Sequence, residues 1–394
     1  MWSKHYIHPI WYALADYVTA VIAWTLFFFV RQSLLHQPLI ADHQPQLNHT
    51  FWIGLLLIPI GWLMLYLLAG SYHSLYKKSR LRELTKTFLC TIIGTTILFF
   101  IFLLDDAERN HQYYYSAFAA LFFIHFILTL TARMLLLNKV KDQIVNGIIS
   151  FPAIIVGTAA KAWSIYKESE QKLKAEGYKV TGYISTNGEV DKHEDALSLL
   201  ASLESLEHTI DQHHISLVVV ATDKKEQPLT EHIISRLSEK DVAIKIQAST
   251  LDILSGSVKP RNVFGAVLID INTGLMADWQ QNIKRLIDIS VALIALILLS
   301  PLMLFIALQV YLSSKGPIIY KQQRVGYKGK PFWMYKFRSM HTNAEANGPA
   351  LSSDRDPRIT KWGRIMRKWR LDELPQLINI LQGKMSLVGP RPER

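Results

Sequence analysis

The 394-residue chain predicts a membrane α-helical bundle of four spans, then a Rossmann-like α/β domain, then a re-entrant helix leading into a mixed α/β domain. Three observations lead there. Half of the residues are hydrophobic and the mean hydropathy is +0.15, which points to membrane segments. Short β-branched runs alternate with helical stretches in the middle of the chain. The net charge of +11 is concentrated: residues 315–394 hold 17 Lys/Arg against 6 Asp/Glu, whereas residues 1–314 hold 26 of each sign. The length leaves room for two or three domains. A single cysteine, Cys90, excludes a disulfide framework. The basic final segment suits an anionic partner, whether nucleic acid, lipid headgroups or a phosphorylated substrate.

Residues 1–140 supply the bundle. Four runs, 10–30, 51–69, 87–104 and 113–136, are long enough to cross a hydrocarbon layer of roughly 30 Å. Stretches such as 24–30 (WTLFFFV) lack the polar face that a surface helix of a soluble protein needs. Only Lys4 precedes the first run and no small-residue cleavage site follows it, so no cleavable signal is expected. Lys77, Lys78, Arg80 and Arg82 lie between the second and third runs, and Lys139 and Lys141 follow the fourth. The other two loops hold Arg31 and, in residues 105–109, three acids and Arg109. The positive-inside rule then puts both ends of the bundle in the cytoplasm.

Residues 145–277 have the composition of a soluble α/β domain. Residues 153–156 (AIIV), 217–221 (LVVVA) and 242–246 (VAIKI) read as parallel strands. A dinucleotide fingerprint after the first strand wants glycines at 157, 159 and 162; only Gly157 is one, and Ala159 and Ala162 replace the others. A domain without cofactor is the favoured reading over a nucleotide-binding one. His213 and His214 have no partner ligands at useful spacing and read as surface residues before a strand.

Residues 281–394 form the last domain, entered through an apolar segment at 285–312. Asp288 interrupts its start and Ser300-Pro301 its middle. Proline clashes with the carbonyl four residues back, that of Ile297, so the helix bends or breaks there. A straight crossing would put the basic region outside, against the charge rule. A segment that enters, turns at Ser300-Pro301 and leaves by the same face keeps it inside, with the serine hydroxyl available to the freed carbonyl.

Beyond it, Gly326 and Gly329, with Arg324, Lys328 and Lys330, suit a turn that offers backbone N–H groups and cations to phosphate oxygens. Aromatic residues interleave with cations from Phe332 to Arg338, which also fits a single-stranded nucleic-acid site. Against this background Asp372 and Glu373 stand out, just ahead of Pro375. The proline suggests that the pair opens a helix running to Leu381, with Asp372 at its cap. A helix N-terminus and the neighbouring Arg367, Lys368 and Arg370 favour ionised carboxylates. Such a carboxylate serves as a nucleophile or a Mg²⁺ ligand; a helix cap with salt bridges explains the same residues equally well.

These motifs, in this order, resemble a known family: Lys284-Arg285-x-x-Asp288, Ser300-Pro301, Ser314-x-Gly316-Pro317, Arg324-x-Gly326-x-x-Gly329, Lys336-Phe-Arg338-Ser-Met340, Leu371-Asp372-Glu373-Leu-Pro375-Gln376 and Ser386-Leu-Val-Gly-Pro390-Arg391-Pro392. Together they look like the bacterial sugar transferase domain of monotopic polyprenyl-phosphate phosphoglycosyl transferases. The preceding four spans and α/β domain resemble the family's long members, so the likeness covers essentially the whole chain.

The resemblance implies a mixed α/β catalytic domain that moves glucose-1-phosphate or galactose-1-phosphate from a UDP-hexose to undecaprenyl phosphate, releasing UMP, at the start of exopolysaccharide, capsule or O-antigen synthesis. It implies Asp372 as nucleophile and Glu373 as the residue holding Mg²⁺. Arg324, Lys336, Arg338, Arg367 and Arg391 would bind phosphates, and Pro390 and Pro392 would lie near the polyprenyl phosphate. Asp288 would anchor the base of the re-entrant helix against Lys284 or Arg285. The implied partners are the two substrates, inner-membrane lipids and other polysaccharide assembly enzymes, with no nucleic acid; a homodimer is compatible. Two departures are visible. Arg370 stands where the family commonly has a small hydroxyl residue. The family also continues past the Pro-Arg-Pro run, which implies a C-terminally truncated form, the alternative being a catalytically impaired paralogue that acts as a membrane scaffold.

Overall fold

The computed structural model describes residues 6–36, 40–41, 44–45, 49–73, 75–103, 111–187, 197–222, 226–247, 268–271, 276–342, 344, 356–390 and 392. The chain divides into two compact units, residues 1–234 with 242–282, and residues 235–241 with 283–394. Arg391 and the loop at 105–109 lie outside the described residues.

The first unit opens with four long helices, α1 (Pro9–Leu34), α2 (His49–Leu68), α3 (Arg80–Leu98) and α4 (His111–Val145). Proline starts α1 where its missing N–H costs nothing, and the His8 ring accepts the Ile10 N–H at 3.2 Å. Aromatic side chains fill the interior: Trp24, Phe27, Phe28, Phe51, Trp62 and Tyr66. Leu56, Leu57, Phe100 and Phe123 face outward. A helix that is apolar on all sides needs an apolar solvent on the outside. These helices, with a fifth introduced below, are the five among the described residues that are long and apolar enough to cross a bilayer. The protein is a membrane protein.

The fourth run does not stop near 136. α4 continues unbroken to Val145, because Leu137, Val140 and Ile144 stay buried against Leu75, Tyr76 and Ile149. Lys139 and Lys141 therefore ride on helix rather than on a loop.

Inside the bundle lies a charged cluster that the sequence reading did not single out. Arg133 of α4 is wholly buried. It donates to both oxygens of Asp16 (2.8 and 2.7 Å), to Glu83 Oε1 (3.0 Å) and to Thr87 (2.8 Å). Its guanidinium lies 3.9 Å from the centre of the Tyr66 ring. Tyr72 donates to Asp16 at 3.0 Å, and Lys78 pairs with Glu83 at 3.1 Å. Two cations and two carboxylates thus neutralise each other. The visible signal was two charges, Asp16 and Arg133, inside otherwise apolar runs, which in a membrane mark paired, functional or specifying positions.

The rest of this unit is a mixed α/β sheet domain. Its strands are β1 (Phe151–Gly157), β2 (Tyr178–Ser185), β3 (Leu199–Ser202), β4 (Leu217–Ala221), β5 (Ala243–Gln247) and β6 (Leu268–Ile271). The order is β3-β2-β1-β4-β5-β6, with β6 antiparallel to β5 and all other pairs parallel. That is the strand order of doubly wound dinucleotide folds. Helices α5 (Ala159–Ala175), α6 (Leu206–Gln212) and α7 (Gln227–Ser238) connect the strands. Burial of β1 and β4 on both faces explains their uninterrupted apolar runs. Gly157 is needed for close strand contact, since a Cβ there would meet the Ala221 carbonyl at 2.3 Å.

The second unit contains most of α8 (Asp278–Ser313), a hairpin of β7 (Ile319–Val325) and β8 (Pro331–Phe337), and the short helices α9 (Lys361–Lys368) and α10 (Gln376–Leu381). α8 is helical through Pro301, and Ser300 Oγ donates to the Ile297 carbonyl at 2.8 Å, the group that the proline deprives of its donor. The far end of α8 packs Ile306 and Val310 against Phe337 and Met366. Its near end supports the C-terminal segment. Arg285 donates to the Ile380 and Leu381 carbonyls, closing the C-terminus of α10. Asp288 accepts from Lys284 (3.1 Å), from the Ser386 hydroxyl (2.7 Å) and from the Leu387 N–H (3.2 Å). The Lys284-Arg285-x-x-Asp288 motif is therefore a clasp on residues 380–387 as well as a local ion pair.

Asp288→Ala should release that clasp. Losing the two hydrogen bonds to Ser386 and Leu387 is expected to speed tryptic cleavage after Lys384 by about tenfold in the detergent-purified chain. An unchanged cleavage rate would remove Asp288 from this role.

Candidate active site

The approach to Asp372 begins at α9. Thr360 caps it, accepting the Gly363 N–H at 2.9 Å. The helix can sit on the chain at Ser339 only because residue 363 has no side chain: a Cβ there would lie 2.0 Å from the Ser339 carbonyl. α9 ends at Trp369, and Arg370 turns the chain in the left-handed region (φ 53°, ψ 27°). Glycine usually takes that position, so arginine there stores backbone strain. A 3₁₀ turn, Leu371–Glu373, follows, and α10 starts only at Gln376. Asp372 and Glu373 thus precede the helix in a turn of their own. Asp372 makes no helix cap, which corrects the expectation from Pro375.

Asp372 is buried, with 8% of its surface exposed, whereas Glu373 is partly open. Burial pushes the Asp372 carboxyl above its ordinary value; Lys336 and Arg367 pull the other way, and Glu373 adds to the rise. Desolvation outweighs the neighbouring cations that the sequence reading relied on. Glu373 is held from two sides, by Lys336 Nζ on Oε1 at 3.0 Å and Arg370 Nη1 on Oε2 at 3.5 Å. Arg367 Nε donates to Ser339 Oγ at 3.0 Å. Lys336 comes from β8, and Asn379 of α10 laces β8 to α10 through the Tyr335 N–H (2.9 Å) and the Trp333 carbonyl (2.7 Å).

The remaining site residues fall elsewhere. Arg338 is buried and donates to the Val310 and Ser314 carbonyls, so it closes the C-terminus of α8 instead of facing the dyad. Arg324 bonds Gln322 Oε1 at 2.9 Å. It pairs with Phe332 on the hairpin, four residues and about 13 Å along the strand from the Lys336 pair. Two N–H groups of the glycine turn bond within it: Gly326 N donates to Lys330 O at 2.9 Å and Lys330 N to Tyr327 O at 3.4 Å. It is a hairpin turn, which explains its glycines without a phosphate. Pro390 and Pro392 follow the clasped segment, Pro390 exposed and Pro392 half-buried. Arg370, expected from the sequence as a neighbouring cation and as a departure from the family pattern, joins Asp372, Glu373, Lys336 and Arg367 as the fifth charged group. Its left-handed backbone is what sequence reasoning had no signal for.

The resemblance expects Asp372 to act as an ionised carboxylate; on that expectation Lys336→Met, which removes a cation that lowers its pKa, should raise that pKa further and move the acid limb of kcat/KM to higher pH. The check is a pH–rate profile from pH 4 to about 8. An acid limb that stays in place, or moves down, contradicts the coupling.

Residues 279–394 match the family model described as bacterial sugar transferase. The undecaprenyl-phosphate galactose phosphotransferase of Salmonella typhimurium is 31% identical over 359 residues, covering 84% of this chain and 71% of that protein. The UDP-glucose:undecaprenyl-phosphate glucose-1-phosphate transferase of Escherichia coli is 41% identical over 143 residues, 36% of this chain and 30% of its own length. The UDP-N-acetylgalactosamine-undecaprenyl-phosphate N-acetylgalactosaminephosphotransferase of Aeromonas hydrophila is 51% identical over 112 residues, 28% of this chain and 26% of its own. The chain thus spans under a third of the length of the last two. The galactose phosphotransferase matches through bundle, sheet domain and final unit alike, and the chain belongs to the bacterial sugar transferase family.

Proposed function

We propose that the chain transfers a hexose-1-phosphate from a UDP-sugar to undecaprenyl phosphate, releasing UMP, as the first step of a polysaccharide repeat unit. The observation that carries this is the buried Asp372 beside Glu373, Lys336 and Arg367, within the segment that matches the family. In the first step an Asp372 carboxylate oxygen bonds to the phosphorus that carries the sugar, and the bond from that phosphorus to UMP breaks. In the second an oxygen of undecaprenyl phosphate displaces Asp372, which is regenerated. Burial favours this use, because a desolvated carboxylate is the more reactive nucleophile once ionised. Lys336 and Arg367 neutralise charge on the entering diphosphate.

Among the described residues no group of three or more His, Cys, Asp or Glu could hold a metal alone. Glu373 offers one accessible carboxylate, and Mg²⁺ is commonly held by one or two carboxylates together with substrate phosphates and water. The residues fit a Mg²⁺ that shares Glu373 with the diphosphate; bound there it would neutralise charge on the leaving UMP.

The same reading places the protein in the bacterial inner membrane with α1–α4 spanning and the site on the cytoplasmic face. α8 then enters and leaves by that face. Its ends support the bend. A straight helix would separate Arg285 from Val310 by about 38 Å. Their contacts lie close together: Arg285 holds α10 next to Asn379, which bonds Tyr335, and Val310 packs with Phe337 two residues along β8, about 7 Å away. The most apolar stretch of α8 is only 11% buried, leaving its surface for lipid.

Membranes holding the chain, supplied with Mg²⁺, undecaprenyl phosphate and a panel of UDP-glucose, UDP-galactose and UDP-N-acetylgalactosamine, should release UMP with at least one donor. Absence of UMP with all three refutes the proposal.

A further inference from the structure

We propose that Arg370 is an exchange cation: it neutralises Glu373 in the empty site and passes to the donor's diphosphate when Glu373 takes up a divalent ion. This rests on the transferase reading above and extends it to a residue that the family pattern does not supply.

The geometry around Glu373 is asymmetric. Lys336 holds Oε1 at 3.0 Å from a side chain that is 20% exposed, whereas Arg370 reaches Oε2 at 3.5 Å from one that is 74% exposed. An exposed pair at that length is weak and easily exchanged; a shorter, shielded one is not. Glu373 therefore has one oxygen firmly engaged and one that a stronger cation can claim. The guanidinium that would be displaced stays near the site, because Arg370 lies two residues from Asp372 at the mouth of the turn. Five N–H donors in a planar fork match phosphate oxygens.

The backbone supports a built position. Arg370 holds a left-handed conformation in which glycine is the unstrained choice. That turn throws its side chain outward while the next residues carry Asp372 inward. The Glu373 N–H bonds the Arg370 carbonyl at 3.2 Å, so the turn fixes the spacing between the two side chains.

The test uses the full chain in detergent, as wild type, Arg370→Ala, Arg370→Lys and Arg370→Gly. Two binding constants are measured. One is for Mn²⁺ alone, by electron paramagnetic resonance of the free ion; the other is for UDP with saturating Mg²⁺, by calorimetry. Arg370→Ala should bind Mn²⁺ a few-fold more tightly, since a competing cation is gone. It should bind UDP about tenfold more weakly, since a charge-assisted phosphate contact is gone. Arg370→Lys should fall between, and Arg370→Gly, which suits the backbone, should behave as Arg370→Ala. A purely structural role moves both constants the same way or neither. Unchanged UDP binding in Arg370→Ala, weaker Mn²⁺ binding, or a wild-type-like Arg370→Gly overturns the inference and leaves the transferase reading standing. A wild type that binds no UDP with Mg²⁺ overturns both.

Discussion

Asp372→Asn is expected to abolish turnover while leaving the protein at least as stable as before. Removing a covalent nucleophile costs about 10⁴-fold or more in kcat, because what remains is binding and charge neutralisation without the bond-forming atom. Asparagine keeps the size and shape of the side chain, so the loss cannot come from a cavity. The stability follows from the sign of the pKa shift. A carboxyl whose pKa is raised in the folded state binds its proton more tightly there than in the unfolded chain. Its stabilising influence is present at low pH and is lost as pH rises through the folded pKa. At neutral pH the ionised Asp372 is therefore a burden on the fold, and a neutral amide relieves it. Inactivity with an unchanged or raised Tm marks a group kept for chemistry against the interest of folding. Wild type given UDP-sugar without acceptor should, in addition, carry a phosphosugar on the tryptic peptide 371–384, and the variant should not. A turning-over Asp372→Asn enzyme removes Asp372 as nucleophile.

That peptide also separates what could be read in the chain from what could not. Asp372, Glu373 and Pro375 were legible as a unit, since carboxylates are scarce in a cationic segment and proline marks a nearby helix start. Their conformation was not. The turn at Arg370 runs against local preference, and it follows a helix, α9, whose seat on Ser339 through Gly363 lies far away in sequence. The position of Arg338 was illegible for a related reason. It shares composition and neighbourhood with Lys336, yet on a strand their positions differ by two residues and their roles follow packing: one meets Glu373, the other the end of α8. The contact of the Ser300 hydroxyl with the carbonyl that Pro301 frees was legible because the chemistry is local, a lost donor and a hydroxyl three residues away. The clasp between Asp288 and Ser386 spans nearly a hundred residues, and no local rule reaches that far.

Within the bundle the largest effect on stability should come from Arg133. Arg133→Met removes one guanidinium and leaves Asp16 and Glu83 buried in the bundle interior without its compensating charge. Removing one partner of a buried pair typically costs about 3–5 kcal/mol. Here the remaining cation, Lys78, pairs with Glu83 and not with Asp16, so among the described residues the Asp16 carboxylate keeps the Tyr72 hydroxyl as its side-chain donor. The expected readout is a lower Tm and a smaller folded fraction on size exclusion in detergent. The triple variant Asp16→Leu, Glu83→Met, Arg133→Met discriminates between two meanings of the cluster. If the charges only stabilise, the apolar replacement should match or exceed wild-type Tm, because a buried ion network gains little over well-packed hydrocarbon. If they specify how four featureless apolar helices align, the triple variant should keep its helix content and lose a single well-defined state, seen as broadened fluorescence unfolding and multiple elution peaks. The second outcome is the expected one. The aromatic interior of α1, α2 and α4 offers many near-equivalent ways to pack, and a bidentate Arg133–Asp16 pair can form in only one of them. Full retention of sharp unfolding in the triple variant, with Arg133→Met unharmed, would show that the bundle is aligned by hydrocarbon packing alone.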